Sequence, residues 1–152
     1  MVFPEYTPHC PDGVAERKIT VSSGLTDQNG KMCPEALARV METVTKRQLE
    51  KHGWSRIALQ EKNTAWVMGW TSIQIKRLPC CGESLLLRTW PGQNKFSMHV
   101  QKYAFYTASG EALVSTASLY LLMDRESRKM ISAGTELKSP AVKIPGESAA
   151  PK

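Results

Sequence analysis

The sequence lacks any uninterrupted apolar run near the ~20 residues that a membrane-spanning helix needs. Of its 152 residues, 41% are hydrophobic and 22% are charged, as in ordinary soluble proteins. A single domain of this length can bury roughly 70% of the surface that its unfolded chain exposes, so it can form a real core without disulfides. We therefore expect one globular domain that does not associate with a membrane.

The first residues also lack the features of a signal peptide. Met1 to Tyr6 contain neither a basic start nor the apolar segment that secretion requires. We therefore expect the chain to stay in the cytoplasm.

The four cysteines lack the spacing of a metal or redox site. None of them belongs to a C-x-x-C pair, and Cys80 and Cys81 are adjacent. Zinc and dithiol sites usually contain such a pair. We therefore expect structural or incidental thiols, with no metal site and no cofactor.

Long blocks of basic residues are absent, although the net charge is +6 and the isoelectric point is about 9.3. Such a charge permits attraction to a nucleic acid, an acidic protein or a phosphorylated carrier. The basic residues, however, occur as scattered pairs, and aromatic residues do not alternate with them as nucleic-acid stacking would require. Nucleic-acid binding is therefore the weakest of the functions considered, and we expect no nucleic-acid partner.

Proline and glycine mark the two ends of the chain. Their positions predict an irregular N-terminal arm over residues 1–13, one domain over 14–133 and a flexible C-terminal tail of low order over 134–152. No internal repeat is visible, which agrees with a single domain.

One long amphipathic helix is predicted over residues 34–52. Pro34 suits the first helical position, Glu35 places a negative charge in the first turn, and Gly53 marks the end. The apolar face follows the spacing i, i+3, i+4, i+7. Its residues are Leu37, Val40, Met41, Val44 and Gln48.

Alternation of apolar and polar residues predicts five strands, over 16–22, 65–75, 84–90, 96–107 and 112–124. In the second strand, Trp66, Met68 and Trp70 are expected on one face and Val67, Thr71 and Ile73 on the other. Strands of roughly 7 to 13 residues exceed the usual length, which favours a strongly curled sheet. We therefore expect an α+β fold, with a curled antiparallel β-sheet wrapped around one long central helix.

Seven short motifs occur in a characteristic order. They are Asp27-Gln28-Asn29-Gly30-Lys31-Met32, Glu42-Thr43-Val44, Trp66-Val67, Leu78-Pro79-Cys80-Cys81-Gly82-Glu83, Arg88-Thr89-Trp90-Pro91, Gly110-Glu111 and Met123-Asp124-Arg125-Glu126-Ser127-Arg128. On these motifs, over about residues 17–130, the chain resembles the N-terminal half of acyl-ACP thioesterases, which have the hot-dog fold.

The resemblance implies an acyl thioester ligand carried on acyl carrier protein (ACP) or coenzyme A (CoA). Members of that family carry two hot-dog halves, and their catalytic Asn and His usually lie in the second half. A chain with one half is expected to pair with a copy of itself, as a homodimer or a dimer of dimers, with the site at the interface. We therefore expect a thioesterase that hydrolyses acyl-ACP or acyl-CoA. The alternative is a non-catalytic acyl-thioester-binding hot-dog protein or partner subunit.

Thioester hydrolysis needs a polarised carbonyl and an activated water. The start of a helix offers backbone N–H groups and a partial positive charge, so the amides of Gly30, Lys31 and Met32 are candidates for contacting the substrate. Gly30 would also allow close approach of the backbone. Alternatively, residues 27–30 form an ordinary turn.

Two carboxylates are candidates for the base or nucleophile that the resemblance implies. Asp27 lies in the loop before the helix, and Glu42 lies at the edge of its apolar stripe, where partial burial would raise its pKa. Asn29 could orient the water or the carbonyl. The alternative for Glu42 is a solvated or paired helix charge.

Several apolar residues could line an acyl channel, although core packing is their more common use. We name Met41, Trp66 and Met68 as substrate-binding candidates. By contrast, His99 lies in a strand and is expected to be a structural or surface group.

Overall fold

The computed structural model describes residues 3–51, 56–95 and 98–131, in which five antiparallel strands curl around one long helix. The predicted α+β fold is therefore confirmed. The strands are in the order β1-β3-β4-β5-β2 across the sheet, so β1 and β2 form its edges. The elements are β1 (Ala15–Thr20), α1 (Pro34–Lys51), α2 (Arg56–Glu61), β2 (Thr64–Ile75), β3 (Ser84–Lys95), β4 (Met98–Thr107) and β5 (Ala112–Asp124).

The element bounds differ from the expected ones in several places. The strand β1 is Ala15–Thr20, where 16–22 was expected, and β2 begins one residue before the expected start. The strand β3 continues through Pro91 to Lys95, and its register shifts just after Pro91, where a missing N–H can be tolerated. The short helix α2 has no counterpart in the prediction. The expected helix end at 52, the expected strand start at 96 and the expected tail over 134–152 lie outside the described residues.

The helix α1 packs against one side of the sheet, which we call the concave face. Burying each Leu- or Phe-sized side chain there contributes roughly 1.5–3 kcal/mol. This apolar contact fixes the helix across β3, β4 and β5. The helix members of the buried cluster include Ala36, Leu37, Met41 and Val44, and the strand members include Leu85, Leu87, Phe105 and Val114.

A bulge in β2 changes which of its side chains face the helix. Met68 pairs with Tyr120, whereas Trp70 pairs with the residue just before Tyr120, so Gly69 is an extra residue in the ladder. One extra residue reverses the alternation that follows. The expectation that Trp70 shares a face with Trp66 and Met68 is therefore wrong. Beyond the bulge, the residues of β2 on the concave face are Thr71, Ile73 and Ile75.

The N-terminal segment lies across the opposite, convex face of the sheet. Arg88 of β3 is only 3% exposed there, and its Nε donates to Glu16 Oε2 at 2.9 Å. Its guanidinium carbon lies 4.7 Å from the centre of the Tyr6 ring, and its Nη1 donates to Thr7 Oγ1 at 3.2 Å. The Tyr6 and Tyr106 rings are 5.4 Å apart. A buried cation thus holds the arm against the sheet.

Replacing Glu16 should therefore destabilise the protein more than replacing an exposed ion-pair partner. We expect Glu16→Ala to lower the free energy of unfolding by about 2 kcal/mol, because Arg88 remains buried without its carboxylate. The exposed pair of Lys76 and Glu111 provides the control, and Glu111→Ala should cost less than about 1 kcal/mol. Urea denaturation measures both values, and equal losses would contradict this account of Arg88.

Candidate functional site

The loop before α1 is closed by the side chain of Asp27. Its Oδ1 accepts hydrogen bonds from the backbone N–H groups of Asn29, at 2.8 Å, and Lys31, at 3.1 Å. Gly30 has a φ of 74°, a left-handed conformation that glycine adopts without strain. The structure thus brings together Asp27, Asn29, Gly30 and Lys31, four of the predicted site residues, at the surface.

This loop is joined to the loop between β2 and β3. The N–H of Cys81 donates to the carbonyl of Gly30 at 2.7 Å, and the N–H of Met32 donates to the carbonyl of Pro79 at 2.7 Å. The amides of Gly30, Lys31 and Met32 therefore already donate within the protein. The Met32 side chain is fully buried in the core. The loop can thus offer the Asp27 carboxylate and the exposed Asn29 side chain more readily than those three amides.

Glu42 lies on the solvent side of α1. Its side chain is 56% exposed, and its Oε1 lies 2.9 Å from Nζ of Lys46, one turn along the helix. It is therefore exposed in the single chain, where partial burial was expected. Its neighbour Met41 points the other way into the core, and the hydroxyl of Thr116 donates to the Met41 Sδ at 3.0 Å.

The remaining substrate-binding candidates lie at the other end of the concave face. Trp66 and Met68 are near the start of β2, and Met68 is 53% exposed. The loop before α1 lies near the end of β2, because Lys31 forms a bridge with Cys80. From Trp66 to the last residue of β2, the strand is roughly 30 Å long. One chain therefore does not bring the loop and these two side chains together.

The concave face beyond the apolar cluster is unexpectedly polar. Sheet register places His99 beside Tyr120, with Tyr120 next to Met68. We call this region the polar end, and its residues are Thr89, His99, Gln101, Ser118 and Tyr120. Sequence reasoning missed this region and took His99 as a structural or surface group. The available signal was the run of polar residues at inward-facing strand positions, which can be identified only when the register is known.

His99 belongs to a hydrogen-bond chain that crosses the polar end. Its Nε2 lies 2.8 Å from the Gln101 side-chain oxygen, and the Gln101 side-chain nitrogen donates to the Thr89 hydroxyl. The Thr89 hydroxyl in turn donates to the backbone carbonyl of Lys102 at 2.8 Å. The Trp66 ring lies 6.3 Å from the His99 ring, so it borders this chain.

A second chain of hydrogen bonds joins the sheet to α1. The Thr45 hydroxyl donates to the carbonyl of Met41 at 2.9 Å and also contacts the Tyr103 hydroxyl. Burial, with a smaller contribution from Tyr120, raises the pKa of Tyr103 above its usual range. Tyr103 therefore remains protonated.

The charged groups beside the loop form a second small cluster. Glu83 accepts two hydrogen bonds from Arg77, at 3.0 and 2.7 Å, and one from the backbone N–H of Cys80 at 3.0 Å. The guanidinium of Arg77 holds the pKa of Glu83 below its ordinary value. Glu83 thus stabilises the loop on which Gly30 rests. Among the described residues, no three His, Cys, Asp or Glu side chains are grouped to hold a metal ion, and no helix is long and apolar enough to cross a membrane.

Arg77→Met should raise the pKa of Glu83 back toward its ordinary value, because it removes the largest cause of the shift. A carboxyl NMR titration of the folded protein measures this change. The pKa of Asp124, which is lowered first by the N–H of Ser127, is the internal control and should not move. Because folding lowers the pKa of Glu83, its contribution to stability is present above the unfolded pKa and is lost as pH falls through the folded pKa. A Glu83 pKa unchanged by the substitution would contradict the assignment.

The sequence matches one known family over most of its length. Residues 13–140 match the acyl-ACP thioesterase N-terminal domain. This finding confirms the resemblance inferred from the motifs. No curated protein sequence matches the chain at a significant level.

Solved structures share the fold at low identity. An acyl-ACP thioesterase from Bacteroides thetaiotaomicron has a TM-score of 0.80 and 16% identity, and the match covers 92% of this chain and 58% of that chain. A 12:0-ACP thioesterase from Umbellularia californica has a TM-score of 0.72 and 17% identity, with 91% and 56% covered. A 1,4-dihydroxy-2-naphthoyl-CoA thioesterase from Synechocystis has a TM-score of 0.74 and 17% identity, with 84% and 100% covered. The chain thus spans less than two thirds of the acyl-ACP thioesterases that it matches, but the whole length of the CoA thioesterase.

Proposed function

The chain belongs to the acyl-ACP thioesterase N-terminal domain family, and we propose that it hydrolyses an acyl thioester at a site shared by two copies of the chain. The family match over residues 13–140 carries the proposal. The ligand is an acyl group on ACP or CoA, the two carriers of the thioesterases that share the fold. Hydrolysis needs no cofactor, since water is the second reactant.

The free edge of the sheet supports pairing with a second copy. The edge strand β2 is 12 residues long, and its exposed apolar side chains are Val67, Met68 and Ile73. A long edge with apolar side chains favours pairing with another strand. Antiparallel pairing of β2 with its copy would join the two sheets and cover this edge, in a homodimer or a dimer of dimers.

Antiparallel pairing would also bring together the two separated parts of the site. Ile75 of one copy would lie near the Trp66 end of the other, because the two strands run in opposite directions. The Asp27 loop of one protomer would then approach Trp66, Met68 and the polar end of its partner. Each site would take its catalytic loop from one chain and its acyl pocket from the other.

In this site Asp27 is the proposed general base. Its Oδ1 is held by two backbone N–H groups, whereas its Oδ2 has no hydrogen-bond donor among the described residues. Oδ2 can therefore accept a proton from the attacking water while Oδ1 fixes the carboxylate. The exposed side chain of Asn29 would orient the carbonyl. Backbone of Gly30, Lys31 and Met32 would border the thioester, and the N-terminus of α1 would stabilise negative charge on its oxygen.

Glu42 is the second candidate base, because it is the exposed carboxylate that α1 presents near its middle. Its ion pair with Lys46 would have to open before the carboxylate could accept a proton. Met41 contributes to the apolar wall behind it. Asp27 and Glu42 can be separated by substitution, since their side chains make no contact with each other in the described structure.

A second candidate function is acyl-thioester binding without hydrolysis. The specific observation that favours it is that the amides of Gly30, Lys31 and Met32 already donate within the protein. Such amides cannot stabilise an oxyanion unless the loop rearranges. Turnover experiments distinguish the two functions directly.

Asp27→Asn should abolish hydrolysis while keeping the loop closed. The asparagine oxygen can still accept the two backbone hydrogen bonds, but it cannot take a proton from water. We expect kcat for acyl-CoA or acyl-ACP hydrolysis to fall ~10²–10⁴-fold, measured as release of the free thiol. Glu42→Gln tests the second candidate base in the same assay.

The matched control for both carboxylates is Asp12→Asn, an exposed residue of the arm, which should leave the rate unchanged. Full activity in the Asp27 variant would exclude it as the base. Acyl binding without thiol release by the unmodified protein would favour the non-catalytic function.

Mixing two inactive variants should restore activity if the site is shared. One variant, Asp27→Asn, lacks the base. The other variant, Met68→Arg, carries a bulky charge in its own acyl pocket. A mixed dimer would contain one site with both changes and one intact site, so a randomised mixture should recover about a quarter of the unmodified activity. The shared site would be contradicted if activity did not recover after exchange of subunits, or if the unmodified protein sedimented as a monomer.

A further inference from the structure

Cys80 and Cys81 are neighbouring thiols on the turn between β2 and β3, and both side chains are exposed. The turn is closed by a hydrogen bond of 3.0 Å from the N–H of Glu83 to the carbonyl of Cys80. The other two cysteines, Cys10 and Cys33, are half-buried. A small molecule that reacts with thiols therefore meets the two adjacent cysteines together.

The peptide group between Cys80 and Cys81 joins this turn to the Asp27 loop. Its N–H donates to the carbonyl of Gly30 at 2.7 Å, and its carbonyl accepts the N–H of Glu83 that closes the turn. Gly30 lies between the two residues whose N–H groups hold the Asp27 carboxylate. The position of the proposed base therefore depends on the orientation of one peptide group.

A disulfide between adjacent cysteines closes a small ring that contains this same peptide group. Adjacent Cα atoms lie about 3.8 Å apart, whereas the Cα atoms of disulfides are usually separated by about 4.4–6.8 Å. The ring can therefore form only if the backbone between Cys80 and Cys81 changes its conformation. Because the hydrogen bond to Gly30 requires the present conformation, closing the ring would break it. A strained and exposed disulfide is also readily reduced, so the change is reversible.

We propose that Cys80 and Cys81 are a modification site, at which a small-molecule disulfide such as oxidised glutathione closes a reversible disulfide and releases the Asp27 loop. The two thiols lack the C-x-x-C spacing, so the site depends on their place in the turn and not on a redox motif. The effect on hydrolysis rests on the proposed function, whereas formation of the disulfide does not.

The reaction is a double thiol–disulfide exchange. The thiolate of one cysteine attacks the small-molecule disulfide, which gives a mixed disulfide and releases one small thiolate. The second cysteine then attacks the protein-bound sulfur of the mixed disulfide and expels the other small thiolate. The two protein thiols lose two protons and two electrons, and the small-molecule disulfide is reduced to two thiols.

Oxidation of the intact protein with excess oxidised glutathione tests the proposal. We expect the mass of the chain to fall by about 2 Da, because two hydrogens leave, and the tryptic peptide 78–88 to carry the whole change. Amide hydrogen exchange at Cys81, measured by NMR, should become ~10-fold faster or more, because the hydrogen bond to Gly30 is lost. Dithiothreitol should restore both values. The internal control is the N–H of Ile131, which donates to the carbonyl of Leu122 at 2.9 Å and should exchange as before.

Two variants locate the reaction. Cys80→Ser leaves one thiol in the turn, so the mass should not fall and exchange at Cys81 should stay slow. The matched control, Cys10→Ser, removes a thiol outside the turn and should respond as the unmodified protein does. The proposal would be overturned by a mixed disulfide as the only product, by a ring that leaves exchange at Cys81 unchanged, or by a mass loss that persists in Cys80→Ser.

Initial rates of hydrolysis, measured as release of the free acid after the oxidant is removed, connect this site to the proposed function. We expect the oxidised protein to be ~10–100-fold slower than the reduced protein, because the base is displaced. If the reduced protein does not hydrolyse the thioester, the proposed function fails, while mass and exchange still decide the inference. If the ring does not slow an active protein, the inference alone is rejected.

Discussion

Burial of α1 against the concave face is the constraint from which the rest of the structure follows. Leu37 and Met41 enter the same apolar cluster as Leu87 and Phe105, so the helix cannot slide along the sheet without exposing apolar surface. This contact fixes the helix start beside the loop between β2 and β3. It also leaves Tyr120, one residue of the polar end beyond the apolar cluster, partly exposed. The placement of both parts of the proposed site is therefore a consequence of one packing contact.

The separation of those two parts along the concave face is the reason for proposing a site shared by two chains. The Asp27 loop lies near the last residue of β2, whereas Met68 lies near its first residues. No side-chain movement spans such a distance, but reversal of strand direction across a paired edge does so without any change within the chain. The same pairing would cover the apolar residues that β2 exposes. Completion of the site and protection of the sheet edge would thus have one cause.

Local patterns predicted the elements but not the contacts between strands. The limits of β5 and the start of α1 at Pro34 follow from alternation and from helix-start preferences, which act over a few neighbouring residues. The bulge at Gly69 was missed because glycine in a strand has several uses, and the face of Trp70 was therefore misassigned. The surroundings of His99 were missed for a related reason. Its partner Gln101 lies two residues away, but its position opposite Tyr120 depends on the register between strands. Asp27 was identified as a candidate, whereas its two hydrogen bonds to the loop depend on backbone geometry.

Polar residues at core positions are costly unless each donor finds an acceptor, and this requirement gives the polar end its direction. The two chains of hydrogen bonds, one through Gln101 and one through Tyr103, each end at a backbone carbonyl. These are the carbonyl of Lys102 in the sheet and that of Met41 in α1. A carbonyl has no proton to give, so every hydroxyl and amide between it and the surface must donate inward. In the sheet, Gln101 therefore donates to Thr89, and its oxygen accepts from Nε2 of His99. The requirement that each buried polar group be satisfied thus determines which ring nitrogen of His99 carries the proton, so a residue far from the helix is oriented by the same packing that buries this end of the sheet.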